Sequence, residues 1–388
     1  MKERTILMPF VLLTIITLLL NVAIQMTLPT FSIYLNALDF PIRYIGAVSL
    51  SLALAGLFLR PVSAILSLRI GRIETGIVGT LLFLLAYMMF AFFTNPELIV
   101  LGRIFQGMGM GLVITMMGSV VAQILPSKDI LKGMNIYSLF ASSSAAIGPY
   151  LGMALIADGQ FVRLFFVAAG LVVISILLLI IMKFKDALPP VFLDEQEMLK
   201  SQIPVYRTKA VFPTILGFFS AIVYAGIASY LAILGLESGM DNVGFFFMFS
   251  FVGLILSRFV VSRWIHTYSL SALLSLFGFG YAIALLLIVQ FPTILGWSLI
   301  AIGFGFVFNF LATLFNTMAL KHVSISQKAS ANAMLFIGLD LGFFSGGLLW
   351  GQVADRFSTS SIYVFSAILI VVSMNVGALI AKVRKITF

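Results

Sequence analysis

The chain has 388 residues, 61% of them hydrophobic and 10% charged, with 38 Phe, 18 Met and no Cys. A water-soluble domain carries roughly one quarter charged residues, so this balance excludes a soluble globular protein, and the absence of thiols excludes disulfides, thiolate metal sites and a cysteine nucleophile. The net charge of +9 does not point to nucleic acid, because the 23 Lys and Arg are sorted by position along the chain.

Long apolar runs predict helices at about 7–35, 42–66, 75–94, 97–123, 133–157, 161–183, 210–235, 243–265, 269–290, 293–320, 330–353 and 361–381. Crossing the ~30 Å hydrocarbon layer takes about 20 residues of helix, and a backbone in lipid must satisfy its own hydrogen bonds. The expected fold is therefore an all-α membrane protein of twelve transmembrane helices. The alternation of a membrane β-barrel is absent. At the N-terminus, Lys2, Glu3 and Arg4 precede an apolar run from Ile6 that continues past residue 30 with no small-residue cleavage site, so a retained first helix is expected.

Orientation follows from the bias of cations to the cytoplasmic side. With a cytoplasmic N-terminus, seventeen Lys and Arg fall in inner loops and tails, and only Arg43, Arg163 and Arg356 fall outside. Both termini are thus expected in the cytoplasm. The remaining three cations, Arg60, Arg103 and Arg258, lie within predicted spans.

The one long polar stretch, residues 185–209, sits near the midpoint and divides the chain into an N-terminal six-helix bundle (1–184), a cytoplasmic linker (185–209) and a C-terminal six-helix bundle (210–388). A shift of 198 residues superposes Gly46 on Gly244, Arg60 on Arg258, Gly107 on Gly305, Thr115 on Thr313 and Gly148 on Gly346. That coincidence predicts an internal duplication, with a substrate cavity between two parallel halves.

Charges at the bilayer centre cost at least ~2.5 kcal/mol unless they face protein or water, so intramembrane ionisable residues are the sharpest functional signal. Asp340 lies ten residues into the eleventh span, about 15 Å deep by helical rise. Desolvation there favours a neutral carboxyl that carries a proton; a permanently satisfied structural acid is the alternative. Arg103, in the segment Arg103–Gly111 (RIFQGMGMG), needs an acceptor, water or an anionic substrate, and Gln106 stands one turn on. Polar residues at helical spacing mark a cavity-facing stripe: Asn21 and Gln25 on the first span, Asn135, Ser138 and Ser142 on the fifth, and Asn309 with Asn316 on the tenth. Arg60 and Arg258 occupy matched cytoplasmic ends and suggest gates or hinges. Gly148-Pro149 removes a backbone hydrogen bond and invites a bend.

Other chemistries lack their residues. There is no GxxxxGK[ST] for a nucleotide, and His266 and His322 lie in separate loops without a ligand cluster. No metal, cofactor or catalytic residue is expected, and no enzyme.

These residues resemble the major facilitator superfamily over essentially the whole chain. Arg60 to Arg72 (RPVSAILSLRIGR) is similar to its signature loop through Arg69, Gly71 and Arg72, with Ala64 and Leu68 where that family has Gly and Asp. RIFQGMGMG is similar to the fourth-helix motif, whose Arg the resemblance assigns to proton coupling. Gly148 to Gly152 (GPYLG) looks like the fifth-helix motif of exporters. Tyr137–Pro149 and Leu339–Asp355 further resemble bacterial efflux permeases of the drug and arabinose-efflux type and exporters of opine metallophores such as staphylopine, and place Asp340 at a family position.

The resemblance implies a proton-coupled efflux antiporter of the cytoplasmic membrane, working by alternating access on small amphiphilic or drug-like molecules. Asp340 and Arg103 would couple protons, while Arg60, Arg69, Gly71, Arg72, Gly148, Pro149 and Arg258 would serve conformational change. An exporter of an opine-type metallophore or other carboxylate-bearing metabolite is the competing reading, with a solute importer behind it. The expected partners are substrate, protons and lipid; the expected state is a monomer without nucleic acid.

Overall fold

In the computed structural model the described residues are 2–125, 130–156, 159–184, 210–240, 242–321 and 328–384. They form twelve α-helices and, among those residues, no strand: α1 (Lys2–Ala37), α2 (Ile42–Arg69), α3 (Arg72–Phe92), α4 (Pro96–Ile124), α5 (Ile130–Leu155), α6 (Phe161–Phe184), α7 (Val211–Glu237), α8 (Gly244–Thr267), α9 (Leu270–Gln290), α10 (Ile294–Lys321), α11 (Lys328–Arg356) and α12 (Thr359–Val383). The twelve predicted runs reappear with ends shifted by a few residues. The expected linker at 185–209 and His322 lie outside the described residues.

Local chemistry sets the helix ends. Gly71 has φ 103°, a conformation open to glycine, and so allows the chain to turn from α2 into α3. Asn95, extended, is followed by Pro96 at the first turn of α4, where a missing N–H costs nothing. Ser269 and Ser358 cap α9 and α12, their hydroxyls accepting from the N–H groups of Ala272 and Ser361. α1 runs on through Pro9 and Pro29, and α5 through Pro149. Among the described residues eleven helices contain an apolar stretch long enough to span a membrane. The exception is α5, where four serines with Pro149 and Tyr150 dilute the apolar residues. Large apolar side chains turned fully outward, Phe58 at 68% and Phe259 at 78% exposed, make sense only in lipid.

The chain separates into two compact units. One holds α1, most of α2 and α3–α6; the other holds α7–α12 with residues 41–46. Helix starts keep the 198-residue register: Arg72 and Leu270, Pro96 and Ile294, Ile130 and Lys328, Phe161 and Thr359. Packing keeps it too. In the first unit a side chain at Gly107 would fall on the carbonyl of Leu52, and in the second one at Gly305 would fall on that of Ser250, the residue 198 positions on. Gly148 and Gly152 press α5 onto Gln25 and Met26 of α1; Gly342 and Gly346 press α11 onto Phe218 and Ile222 of α7. Small residues serve this purpose in lipid, where helices associate through close backbone approach and not through exclusion of water. Polar ties lock the same seams. Ser63 Oγ donates to the Leu112 carbonyl (2.8 Å), Trp350 Nε1 to the Ile222 carbonyl (2.7 Å) and the Tyr230 hydroxyl to the Gly347 carbonyl (2.9 Å).

Gly107→Val should therefore overpack the α2–α4 seam against backbone that cannot yield, costing about 1–3 kcal/mol, while Gly170→Ala, which meets nothing within 4 Å, should not destabilise. Thermal unfolding in detergent, followed by size-exclusion of surviving monodisperse protein, checks the contrast; equal behaviour of the two variants would contradict this account of the seam.

Candidate functional site

The first unit buries a polar cluster around α4. Arg103 and Gln106 stand one turn apart, which puts both side chains on one face, and they are 3% and 1% exposed. Arg103 Nη1 donates to Gln106 Oε1 at 2.8 Å. The Gln106 amide in turn donates to the Tyr87 hydroxyl of α3 at 3.2 Å and reaches Thr27 Oγ1 of α1 at 3.5 Å. The guanidinium lies over the Phe31 ring, 3.4 Å from its centroid, with the Phe90 ring at 5.7 Å. Among the described residues no carboxylate lies within ion-pair distance of it, and Arg103 Nε has no hydrogen-bond partner. A cation–π contact sheltered from water contributes about 2 kcal/mol, so Phe31 and Phe90 stand in for part of the missing counter-charge.

The second unit has no counterpart of this cluster. At the 198-residue shift, Thr27, Tyr87, Arg103 and Gln106 fall on Ala225, Leu285, Ala301 and Phe304 of the second unit. All four of those are buried, at 0 to 2% exposure. One half of the molecule thus fills these core positions with apolar side chains and the other with a desolvated arginine and its network. Thr27, Phe31 and Tyr87 carry no charge, so an intramembrane-charge criterion does not single them out. The signal that finds them is the mismatch between the two halves, and it becomes readable once the register of the helices is known.

In the second unit, Asp340 lies inside α11, half-buried, with its Oδ2 shielded from solvent. Gly338 and Gly342 of the same helix pack on Thr214 and Phe218 of α7. Among the described residues Asp340 is the one acid away from a helix end or loop.

The expected cavity stripe is partly dispersed. Gln106 belongs to the buried cluster around Arg103 and not to an open wall. Asn21, Ser142 and Asn309 are half-buried, and each donates to the carbonyl one turn back on its own helix: Thr17 (2.8 Å), Ser138 (2.7 Å) and Gly305 (2.8 Å). Gln25 is half-buried and lies under Gly148; Ser138 is exposed; the side chain of Asn135 lies outside the described residues. Of the conformational residues, Arg60 and Arg72 are half-buried while Arg69 and Arg258 are exposed. Gly71 has the turn conformation described above. Gly148 and Pro149 are buried in an unbroken α5, where the glycine admits α1. At the same end of the first unit, Glu74 pairs with Lys183 of α6 at 3.2 Å, an ion pair the loop motif did not foretell.

A buried charge with no ionic partner lowers stability, so Arg103→Met, which keeps the volume and removes the charge, should hold or raise the unfolding temperature of detergent-purified protein. A fall of more than about 5 °C would show instead that the cluster holds the fold together.

The Major Facilitator Superfamily model matches residues 13–347. An uncharacterised transporter of that type from Methanocaldococcus jannaschii is 24% identical over 360 residues, covering 89% of this chain and 90% of that protein. The quinolone resistance protein NorA of Staphylococcus aureus is 24% identical over 204 residues, 52% of either chain. Among solved structures, the nucleoside transporter NupG aligns with TM-score 0.74 at 16% identity, covering 96% of this chain and 99% of that one. A bacterial homologue of the human lysosomal transporter Spinster aligns with TM-score 0.75 at 14% identity, covering 98% and 95%. At such identities these structures show the fold alone. Helices in two units of one register, eleven of the described ones apolar enough to span a membrane and the chain matched from residue 13 to 347 by the family model, lead to one conclusion: the chain belongs to the major facilitator superfamily and is a multi-pass membrane transporter, not an enzyme.

Proposed function

We propose that this transporter exports small amphiphilic, drug-like molecules from the cytoplasm by proton antiport, its two six-helix halves giving access to either side of the membrane in turn. The observation that carries the reading is the placement of Asp340, among the described residues the one acid in mid-span, on a helix whose other face is fixed by glycines against α7. Burial makes its ionised form costly in one environment and tolerable in a wetter one, so uptake and release of its proton bias the two conformations differently. Only such differential affinity lets a proton gradient drive a cycle. Arg103 is proposed to modulate that titration from the first unit through its charge.

The likeness to NorA, named for quinolone resistance, supports drug-like export. So does Gly148-Pro149, which resembles the fifth-helix motif of exporters except that Met153 stands where a second Gly is usual. A carboxylate-bearing metallophore would call for open cationic anchors, and Arg103 is instead buried and bonded to Gln106. The cation bias of the loops supports a cytoplasmic-membrane location with both termini inside, and the proposed working state is a monomer.

In proteoliposomes, Asp340→Asn should abolish ethidium movement driven by an imposed pH gradient while sparing gradient-free exchange of ethidium across the membrane. Retention of full gradient-driven transport by the variant would sink the coupling role.

A further inference from the structure

The second unit contains an aromatic group that the first unit lacks. The Tyr224 ring of α7 stacks on Phe308 of α10, with centroids 4.5 Å apart and planes 12° apart, and meets Phe343 of α11 at 6.2 Å. All three residues are half-buried, so the group presents ring surface at the edge of a core and is not sealed within it. Phe343 stands one helical turn from Asp340 on α11.

Behind this stack lies Tyr281 of α9. Its ring is fully buried, edge-on to Phe304 at 5.4 Å and to Phe308 at 6.1 Å. Among the described residues its hydroxyl has no hydrogen-bond partner. A desolvated hydroxyl that bonds to nothing costs stability, so a fold gains nothing by keeping it. The repeat shows that the fold has no use for it. At the 198-residue shift Tyr281 falls on Phe83, itself buried at 1% exposure, the same ring without the oxygen. Likewise Tyr224, Phe308 and Phe343 fall on Met26, Met110 and Ala145. A stacked pair of rings, a third ring beside it and one spare hydroxyl have thus been placed in one half where the other half has none of them.

We propose that Tyr224, Phe308 and Phe343 form a stacking subsite for a planar aromatic ring, and that the Tyr281 hydroxyl donates a hydrogen bond to an acceptor such as a ring carbonyl on that ligand. Offset stacking then holds any flat ring, and the hydroxyl distinguishes those that carry an acceptor. This subsite deepens the drug-like reading and rests on it, and it requires neither proton coupling nor a direction of transport.

Equilibrium binding to detergent-purified protein at fixed pH tests it with two fluorescent probes: norfloxacin, a quinolone with a ring carbonyl, and ethidium, a planar cation without a carbonyl acceptor. Tyr281→Phe should weaken norfloxacin binding about fivefold and leave ethidium unchanged, with the unfolding temperature equal to or above that of the parent. Tyr224→Leu should weaken both probes. Unchanged norfloxacin affinity in Tyr281→Phe overturns the subsite while leaving drug-like export standing. Equal loss of both probes in that variant, with a lower unfolding temperature, overturns it as well by making Tyr281 structural. Failure of the parent protein to bind either probe removes the drug-like reading and the subsite with it.

Discussion

In a hydrocarbon solvent no water is released when two helices meet, so they must be held by close contact of backbone with backbone. Everything else in this molecule depends on that constraint. It explains why Gly107, Gly152, Gly305, Gly342 and Gly346 sit where they do, each admitting a carbonyl of the neighbouring helix where a Cβ would stand, and why Gly148 sits against Gln25 and Met26. It also explains why the seams carry so few polar ties, such as Trp350 to the Ile222 carbonyl. Once the glycines fix the crossings, the positions that remain in each core are free to differ between the halves.

They do differ, and the differences carry the functional content. The first unit spends four core positions on Thr27, Tyr87, Arg103 and Gln106, where the second has Ala225, Leu285, Ala301 and Phe304. The second unit in turn holds the Tyr224, Phe308 and Phe343 rings, the Tyr281 hydroxyl and Asp340, where the first has Met26, Met110, Ala145, Phe83 and Ser142. A duplicated fold provides its own control. A polar or aromatic residue that its counterpart does without is not needed for folding, and desolvating it has a cost that function must justify.

Much of the fold was legible in the sequence because span length and hydropathy are local properties. The ends of α9 and α10 fell within a residue or two of the apolar runs at 269–290 and 293–320. The candidate site was legible only where one residue was exceptional by itself. Asp340 and Arg103 stood out as charges in apolar runs. Tyr87 and Tyr281 did not, since a lone hydroxyl in a span is common and its partners lie on other helices. The polar stripe failed as a group for a related reason: Asn21, Ser142 and Asn309 each turn back onto the preceding carbonyl of their own helix, a choice that helical spacing does not reveal.

The sequence alone determined that the chain is a multi-pass membrane protein of twelve helices with residues recurring at a 198-residue shift, because apolar length and spacing are written in consecutive residues. Tertiary structure decided which of its polar groups face one another. It put Arg103 over the Phe31 ring and against Gln106, and it packed the Tyr281 ring against Phe304 and Phe308 with its hydroxyl unpartnered among the described residues. Those pairings depend on how helices distant in sequence are rotated against each other. That rotation is fixed by the glycine contacts between their backbones and not by the pattern of any one helix.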